Sequence, residues 1–349
     1  GRDGAAQGSA RCVLEVGEPA CERGNNFSKG AKWSPDGLTL LALHDDAMLR
    51  LFSTPDASLQ SEELTPQVME PYAQVKEGGP ILDFCFFPSF TWEYPATCGF
   101  ITSCQGHPIH LREAATGQLC NTYRPYNQVD EVCHAFSLCF SPDCSKILAG
   151  FSQYIRVFDV QRPGRQVEDW LLSTRKGKGQ KGIIGALSAA MESPGLYAAG
   201  SYNRSLCVYH QGNRGKPVAW LADREPDYEM GGVTQVEWAS EWLLLSGHRR
   251  DNWLRAWDLR MASSEAGLSQ APGVRPKALL HRFPRVTRTH QRFMFNARSG
   301  VLTTGDDAGN AVLYSLSTLQ PLGRIPVAHR RPCVSAMLHP RLDAVATSS

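Results

Sequence analysis

The sequence predicts an all-β protein in which seven small antiparallel sheets stand in a ring, as the blades of a β-propeller. Short apolar and aromatic runs alternate with smaller residues on a period of two, which is typical of strands. A unit built from such runs recurs along the chain, and no long stretch has helical periodicity. The chain has 349 residues, of which 42% are hydrophobic, enough for one toroidal domain.

The most regular unit covers residues 131–159. Between positions 136 and 140, large apolar residues alternate with smaller ones, the pattern of a strand with two unlike faces. Ser141-Pro142-Asp143 ends this strand, because Pro presets a turn dihedral and Ser and Asp can bond their own backbone. Short strands follow at 147–150 and 155–158. We expect four apolar side chains of this unit to fill the core: Phe136, Leu138, Phe140 and Ile155.

Comparable units occupy seven stretches of the chain: 27–52, 80–123, 131–159, 182–221, 233–258, 292–314 and 334–348. The positions that correspond between units are Ser34, Phe87, Ser141, Ala189, Ala239, Ala297 and His339. Their successive differences run from 42 (339 − 297) to 58 (297 − 239). This range brackets the period of propeller blades that are stretched by long loops, so the sequence predicts seven blades.

The strand ends and turns resemble WD repeats. Trp257-Asp258 closes the fifth unit and Phe158-Asp159 closes the third, and Ser-Pro-Asp turns follow two first strands. The resemblance is degenerate, because only one unit ends in Trp-Asp. It implies a seven-bladed WD-repeat β-propeller.

The chain divides into a lead-in and one domain. We expect residues 1–25 to be a flexible lead-in and residues 26–349 to form the propeller. The seventh unit stops after two runs, so the last blade is incomplete in this chain. In propellers an N-terminal segment commonly adds a strand to the last blade, and Cys12–Val16 is a possible ring-closing strand. One strand is still unaccounted for, which favours a natural chain that continues past Ser349.

Composition and motifs argue against several classes of protein. The formal net charge is +2, and no apolar run approaches the length of a membrane span. The 11 cysteines contain no Cys-x-x-Cys pair, which favours reduced, buried thiols. His44-Asp45-Asp46 and Asp306-Asp307 are typical of tight turns rather than of a metal site. His134 and Ser137 could suggest a hydrolytic triad, but the sequence contains no Gly-x-Ser-x-Gly nucleophile elbow. We therefore expect no enzyme, and no metal or cofactor.

The basic residues predict a binding surface. In a propeller, the loops that join blades share a face with the loops between each blade's second and third strands. By this rule Arg162, Arg165 and the Arg175–Lys181 run fall in the third inter-blade connection, and several other basic residues fall on the same face. Such a rim suits phosphates, and nearby aromatic and amide side chains suit bases. Solvated loop charge is the alternative, and the Arg175–Lys181 run could also be a nuclear-localisation-like stretch or a flexible loop.

A closer resemblance is to the telomerase Cajal body protein family. It rests on ordered strings at 26–37, 107–111, 115–119, 126–131, 162–165, 200–206, 246–251 and 257–260. One departure is Asp223-Arg224-Glu225-Pro226, where the family often has a Gly-Gly-His turn, so the contacts of the acidic 222–231 loop are in doubt.

The family resemblance implies a function and partners. It implies a non-enzymatic scaffold that binds the CAB box of small Cajal body H/ACA RNAs and telomerase RNA, and directs their particles to nuclear Cajal bodies. The implied partners are dyskerin-type H/ACA proteins, the telomerase holoenzyme and a folding chaperonin, with this chain as a monomer and no membrane. The candidate RNA-binding residues are Arg124, Tyr126, Asn127, Arg162, Arg165, Lys176, Lys178, Lys181, Tyr202, Arg204, His248, Arg249, Arg250 and Arg330. The alternative is a generic WD-repeat adaptor that binds proteins in a nuclear complex.

Overall fold

The structure is a computed structural model that describes residues 14–16, 26–54, 67–174, 179–262, 277–287, 289, 291–326 and 331–349. The described residues are all-β apart from short 3-10 turns at Pro95–Thr97, Gln211–Asn213, Pro226–Tyr228 and Leu259–Met261. They form six sheets of at least four strands each, arranged as propeller blades, which confirms the all-β propeller.

Blades 1 to 3 are antiparallel sheets whose strands follow the chain outward from the ring centre. Blade 1 is Ser28–Trp33, Thr39–His44, Met48–Ser53 and Ala73–Lys76. Blade 2 is Ile81–Phe86, Gly99–Cys104, Ile109–Glu113 and Leu119–Arg124, to which Gly164–Arg165 adds in parallel. Blade 3 is Ser137–Phe140, Lys146–Gly150, Tyr154–Asp159 and Glu168–Leu171.

Blades 4 to 6 repeat the same order. Blade 4 is Ile184–Ala189, Leu196–Ser201, Ser205–His210 and Pro217–Leu221. Blade 5 is Val233–Trp238, Leu243–His248, Trp253–Asp258 and Leu279–Pro284. Blade 6 is Phe295–Arg298, Val301–Gly305, Asn310–Ser315 and Pro321–Pro326.

A hairpin of Ser335–Leu338 and Val345–Ser348 follows blade 6. It joins both neighbours: Leu338 N donates to Asn296 Oδ1 of blade 6, and Trp33 Nε1 of blade 1 donates to Met337 O. The hairpin therefore lies between blades 6 and 1. A four-stranded seventh blade is not present among the described residues.

The described part of the expected ring-closing strand does not pair with the hairpin. Leu14–Val16 pairs in parallel with Gln67–Met69, and Val16 packs in the apolar cluster that also contains Ala346 of the hairpin. No ladder joins Leu14–Val16 to the hairpin in the part of the chain that the structure describes. Residues 12 and 13 lie outside the described residues.

The repeating turn and the core agree with most of the sequence pattern. Ser141 Oγ donates to Asp143, and the amide of Lys146 donates back to Ser141 Oγ at 2.9 Å, so this turn is closed as expected. Leu138, Phe140 and Ile155 are buried in the clusters between blades. The expectation for Phe136 is wrong, because its ring is only half-buried and packs edge-on against His134.

The acidic turns, the cysteines and the question of a membrane-spanning helix can also be compared with the structure. His44-Asp45-Asp46 and Asp306-Asp307 lie in or beside tight turns between second and third strands, as expected. The nine described cysteines are free thiols, five of them buried. No helix among the described residues has the length and hydropathy of a membrane span.

Blade 2 is attached to blade 1 through a buried carboxylate. Glu77 accepts hydrogen bonds from Thr102 Oγ1 at 2.7 Å and Arg112 Nε at 2.9 Å, and its other oxygen lies 2.8 Å from His110 Nδ1. Burial by itself raises the pKa of Glu77, but the bonds from His110, Arg112 and Thr102 outweigh burial and hold the pKa at about 2. The ionised form is therefore the one that stabilises the fold.

Replacing Glu77 with Gln is expected to remove an acid-sensitive part of the stability. The folded pKa lies below the unfolded value, so this contribution is present above pH 4.5 and is lost as pH falls towards 2. The full difference is on the order of 3 kcal/mol. Urea unfolding between pH 3 and pH 7 measures it: the wild type should lose more stability than Glu77→Gln on acidification. Parallel curves for the two proteins would contradict this assignment.

Candidate nucleic-acid interface

The propeller has two faces that differ in charge. We call upper the face that carries the blade-to-blade connections and the loops between second and third strands. The opposite face, with the loops between first and second strands, is the lower face. On the upper face, blades 1 and 6 carry acidic turns, Asp45-Asp46 and Asp306-Asp307, while blades 4 and 5 carry basic ones. Positive charge on these loops therefore gathers over blades 4 and 5.

The upper loops of blades 4 and 5 form a basic and aromatic rim, which we define as Lys181, Tyr202, Asn203, Arg204, Arg249 and Arg250. All six residues are exposed. The guanidinium of Arg249 lies 5.2 Å from the centre of the Tyr202 ring, so the cation faces the aromatic ring across the two blades. Ser201 Oγ donates to the Lys181 carbonyl at 2.6 Å, which fixes Lys181 beside the same loop.

Two glycines make room for Tyr202, one beside its ring and one beside its backbone. A Cβ on Gly185 would stand 2.1 Å from an atom of the ring, and a Cβ on Gly232 would stand 2.7 Å from the Tyr202 carbonyl oxygen. Both distances are too short for any other residue without a shift of the loop. The ring is thereby seated on backbone, and its exposed 38% remains available for stacking.

Two rim cations differ in how freely they can meet a ligand. Arg204 pairs with Glu229 at 2.8 Å, but both side chains are mostly exposed, so a phosphate could replace the carboxylate at small cost. Arg250 is exposed and has a φ of 51°, in the left-handed region that suits a tight turn. The rim therefore presents cations that point to solvent beside a fixed aromatic ring.

The sequence pattern missed one basic segment of this face. The connection from blade 5 to blade 6 contains Arg285, which is 2% exposed and donates to the His248 carbonyl at 3.4 Å. Burial lowers the pKa of Arg285 to about 10, so it is still charged at neutral pH. Its charge lies directly beneath the loop of Arg249 and Arg250. The run of Arg282, Arg285, Arg288 and Arg292 in the sequence was the available signal.

His248 does not belong to the rim, and its prediction as a base-stacking residue is wrong. Its imidazole is buried, with Nε2 2.9 Å from Ser246 Oγ and Nδ1 3.3 Å from the Gly231 carbonyl. Trp257 Nε1 donates to the same Ser246 Oγ at 2.8 Å. Burial and the charge of Arg255 hold the pKa of His248 well below its usual range. The neutral ring holds blade 5 together.

The placement of Arg162 and Arg165 between blades 3 and 4 is also wrong. Both lie within blade 3, between its third and fourth strands, and Gly164–Arg165 adds to the outer strand of blade 2. The structure nevertheless brings Arg165 to Tyr126, 4.8 Å from its ring centre. Arg165 also pairs with Asp130 at 2.7 Å, so its charge is partly compensated.

Arg124, Tyr126 and Asn127 lie where blade 2 leads into blade 3. Arg124 is exposed, and the side-chain oxygen Oδ1 of Asn127 accepts from the backbone amides of Val129 and Glu131, which shapes this loop. Arg162 is exposed at the turn after the third strand of blade 3. Lys176, Lys178 and Arg330 lie outside the described residues.

The acidic loop 222–231 is mostly compensated from within. Asp223 is buried and accepts from Arg255 Nε at 2.7 Å and from Arg282 Nη2 at 2.8 Å. Arg282 also pairs with Glu225 at 3.0 Å. These carboxylates therefore fix the loop to blade 5 rather than spread negative charge over the rim. In the part of the chain that the structure describes, no three His, Cys, Asp or Glu side chains converge as a metal site requires.

The fold and the rim define the class of protein: a WD-repeat-type β-propeller with a candidate RNA surface on one face. No family model matches the chain. It is 33% identical over 341 residues to telomerase Cajal body protein 1 of Mus musculus, 94% of this chain and 59% of that protein. It is 34% identical over 339 residues to the Rattus norvegicus protein of the same name, with the same coverage.

The Homo sapiens protein of that name is 32% identical over 333 residues, which is 93% of this chain and 57% of that protein. Over the region compared, the chain belongs to the telomerase Cajal body protein family. It spans less than two thirds of the length of the curated relatives it matches.

Proposed function

We propose that this chain is a non-enzymatic RNA-binding scaffold that recognises small Cajal body H/ACA RNAs and telomerase RNA. The observation that carries the proposal is the rim over blades 4 and 5, where exposed cations flank the seated ring of Tyr202. The names of the curated relatives, which refer to telomerase and the Cajal body, support the identity of the RNA class.

The proposed mechanism has two steps. Arg249, Arg250, Arg204 and Lys181 attract the phosphates of an RNA loop and release counterions, which supplies most of the affinity. An unpaired base then stacks on Tyr202, and the exposed amide of Asn203 can hydrogen bond to a base edge. Arg124, Tyr126 and Asn127 form a second sector at the edge of blades 2 and 3, which suits a more distant part of the RNA. Arg162 and Arg165 contribute charge at that edge only.

Partners and location follow from the same assignment. We propose association with dyskerin-type H/ACA proteins and with the telomerase holoenzyme, folding by a chaperonin, and a monomeric scaffold in nuclear Cajal bodies. A single propeller with RNA on one rim leaves its other face for proteins of the same particle.

We further infer that the hairpin Ser335–Leu338/Val345–Ser348 is the inner half of a seventh blade. It hydrogen bonds to both blade 6 and blade 1, in the position that a seventh blade would take. Ser28 N also donates to the Ser349 carbonyl at 2.9 Å, which ties the hairpin to blade 1 near its end.

Tyr202→Ala is expected to weaken binding of a hairpin RNA with the CAB box in its loop by about 5- to 150-fold. Loss of one stacked base costs roughly 1–3 kcal/mol. Fluorescence anisotropy with labelled RNA measures the change. Tyr202→Phe keeps the ring and should bind within about twofold of wild type. Tyr94→Ala, an exposed tyrosine of the lower face, is the matched control. Unchanged binding by Tyr202→Ala would contradict the stacking step.

A further inference from the structure

The inner loops of the lower face, between first and second strands, are acidic in blades 1 to 5. Five successive loops between first and second strands each carry one carboxylate: Asp36, Glu93, Asp143, Glu192 and Glu241. None of these five loops contains Lys or Arg. Within the described residues none of the five carboxylates forms an ion pair, although Asp36 and Asp143 accept hydrogen bonds in their own turns. The inner lower positions of blade 6 and of the hairpin carry Arg298 and Arg341 instead, so the acidic arc covers blades 1 to 5 only.

A cavity of about 560 Å³ opens at this face along the ring axis. Glu237 lines it on the first strand of blade 5. One carboxylate oxygen accepts from the amide of Ala297 and from Asn296 Nδ2, both at 2.9 Å, and the other accepts from Gln235 Nε2 at 3.2 Å. A carboxylate has about four acceptor positions, so one remains for a further donor.

Three cations line the cavity: Lys32 and Arg292, which share one carboxylate, and Arg298, which is exposed at the end of the first strand of blade 6. Lys32 Nζ and Arg292 Nη1 lie 3.5 Å and 3.6 Å from the same oxygen of Asp83, so two cations share one carboxylate. Glu237 has no such partner within ion-pair distance among the described residues. Burial raises the pKa of Glu237 to about 7, against the bonds from Ala297 and Asn296 and the more distant charge of Lys32. A cationic donor at Glu237 would therefore meet a carboxylate that has one free acceptor position and, among the described residues, no ion-pair partner.

The cavity mouth also carries apolar surface. Met191 lines the cavity, is 56% exposed and precedes Glu192. Trp242 is 44% exposed and follows Glu241, which lines the cavity, although Trp242 does not. The amide of Glu241 donates to Glu192 Oε2 at 2.8 Å, which fixes the two loops together. A flat aromatic ring beside carboxylates suits a guanidinium, which can stack and pair at once.

We propose that the lower face binds an extended basic segment of a partner protein, with one arginine of that segment inside the cavity at Glu237. Charge complementarity selects this occupant, because RNA would meet repulsion from the carboxylates. The propeller would then bind RNA by its upper rim and a basic protein segment by its lower face. Binding of the protein segment to the lower face does not depend on binding of RNA to the upper rim.

The test uses a fluorescein-labelled peptide with one arginine in every three residues and a matched peptide with glutamine in those positions. The wild-type chain is expected to bind only the arginine peptide, measured by anisotropy at physiological salt. Glu192→Gln with Glu241→Gln keeps both acceptor oxygens and should weaken binding at least tenfold. Glu237→Gln should do the same. Asp45→Asn with Asp227→Asn, the same charge change at exposed positions of upper-face loops, should leave binding unchanged.

Three outcomes would overturn the proposal. The wild type could fail to bind the arginine peptide at millimolar concentration, or the lower-face variants could bind it as tightly as wild type. Sedimentation could also show self-association that Glu192→Gln with Glu241→Gln abolishes, which would assign the face to a second copy. RNA binding measured on the lower-face variants alone should be unchanged, so failure here is distinguishable from failure of the RNA assignment. Thermal unfolding confirms that each variant is folded.

Discussion

Arg249→Glu combined with Arg250→Glu is expected to weaken RNA binding by on the order of a hundredfold near physiological salt. Both side chains are exposed on the upper loop of blade 5, and Arg249 faces the Tyr202 ring. The double change removes two cations and places two carboxylates beside the phosphates. For single-stranded RNA each lost contact reduces the salt slope by about 0.7, so the slope should fall by about 1.4. Anisotropy at several salt concentrations measures both quantities.

The control for this change is Arg298→Glu combined with Arg324→Glu. Both residues are exposed, on the lower edge of blade 6 and on its outer strand. Each pair takes the formal net charge from +2 to −2, because each substitution removes two charges (+2 − 4 = −2). A similar loss of affinity in the two proteins would show that only net charge matters, and the rim assignment would then be wrong.

Arg255→Met is expected to destabilise the fold by about 3–5 kcal/mol. Arg255 is fully buried and donates to Asp223 Oδ2 and Asp251 Oδ2, both at 2.7 Å, and to the Tyr228 carbonyl at 2.6 Å. Burial by itself raises the pKa of Asp223, but bonds from Arg282 and Arg255 outweigh it and lower the pKa. Met fills similar volume, so the loss comes from buried carboxylates that lose their cation.

Urea unfolding at neutral pH measures this loss. Arg255→Met with Asp251→Asn should recover part of it, because the second change removes a carboxylate that would otherwise stay buried without its cation. Arg260→Met is the control, since Arg260 is exposed and pairs with Asp258 at the surface. An Arg255→Met protein within about 0.5 kcal/mol of wild type would show that this network does not hold blade 5.

The sequence predicted the fold well because the repeat encodes it locally. Alternation around Leu138 and Phe140 sets which side chains are buried, and the Ser141-Pro142-Asp143 turn sets where the strand ends. The pattern failed where pairing is not local. Gly164–Arg165 is two residues long and joins blade 2 in parallel, and the Leu14–Val16 partner lies more than 50 residues away at Gln67. Short runs of this kind carry no periodicity.

The candidate site was predicted in part. Assigning loops to faces by strand order correctly placed Arg204, Arg249 and Arg250, because strand order alone decides this. It could not show that His248 ends a strand with its ring turned inward onto Ser246, since side-chain direction depends on packing. It also could not show the contact between Arg249 and Tyr202, which lie in different blades. Arg285 was missed because buried cations are rare and the pattern sought exposed ones.

The most direct test of the central claim is sequencing of RNA that co-purifies with this chain from cells that express it. We expect H/ACA RNAs of the Cajal body, telomerase RNA among them, to be enriched with the wild type and with Arg298→Glu/Arg324→Glu. The same RNAs should fall to background with Arg249→Glu/Arg250→Glu. No enrichment with the wild type, or equal enrichment with the rim variant, would contradict RNA recognition by the upper rim.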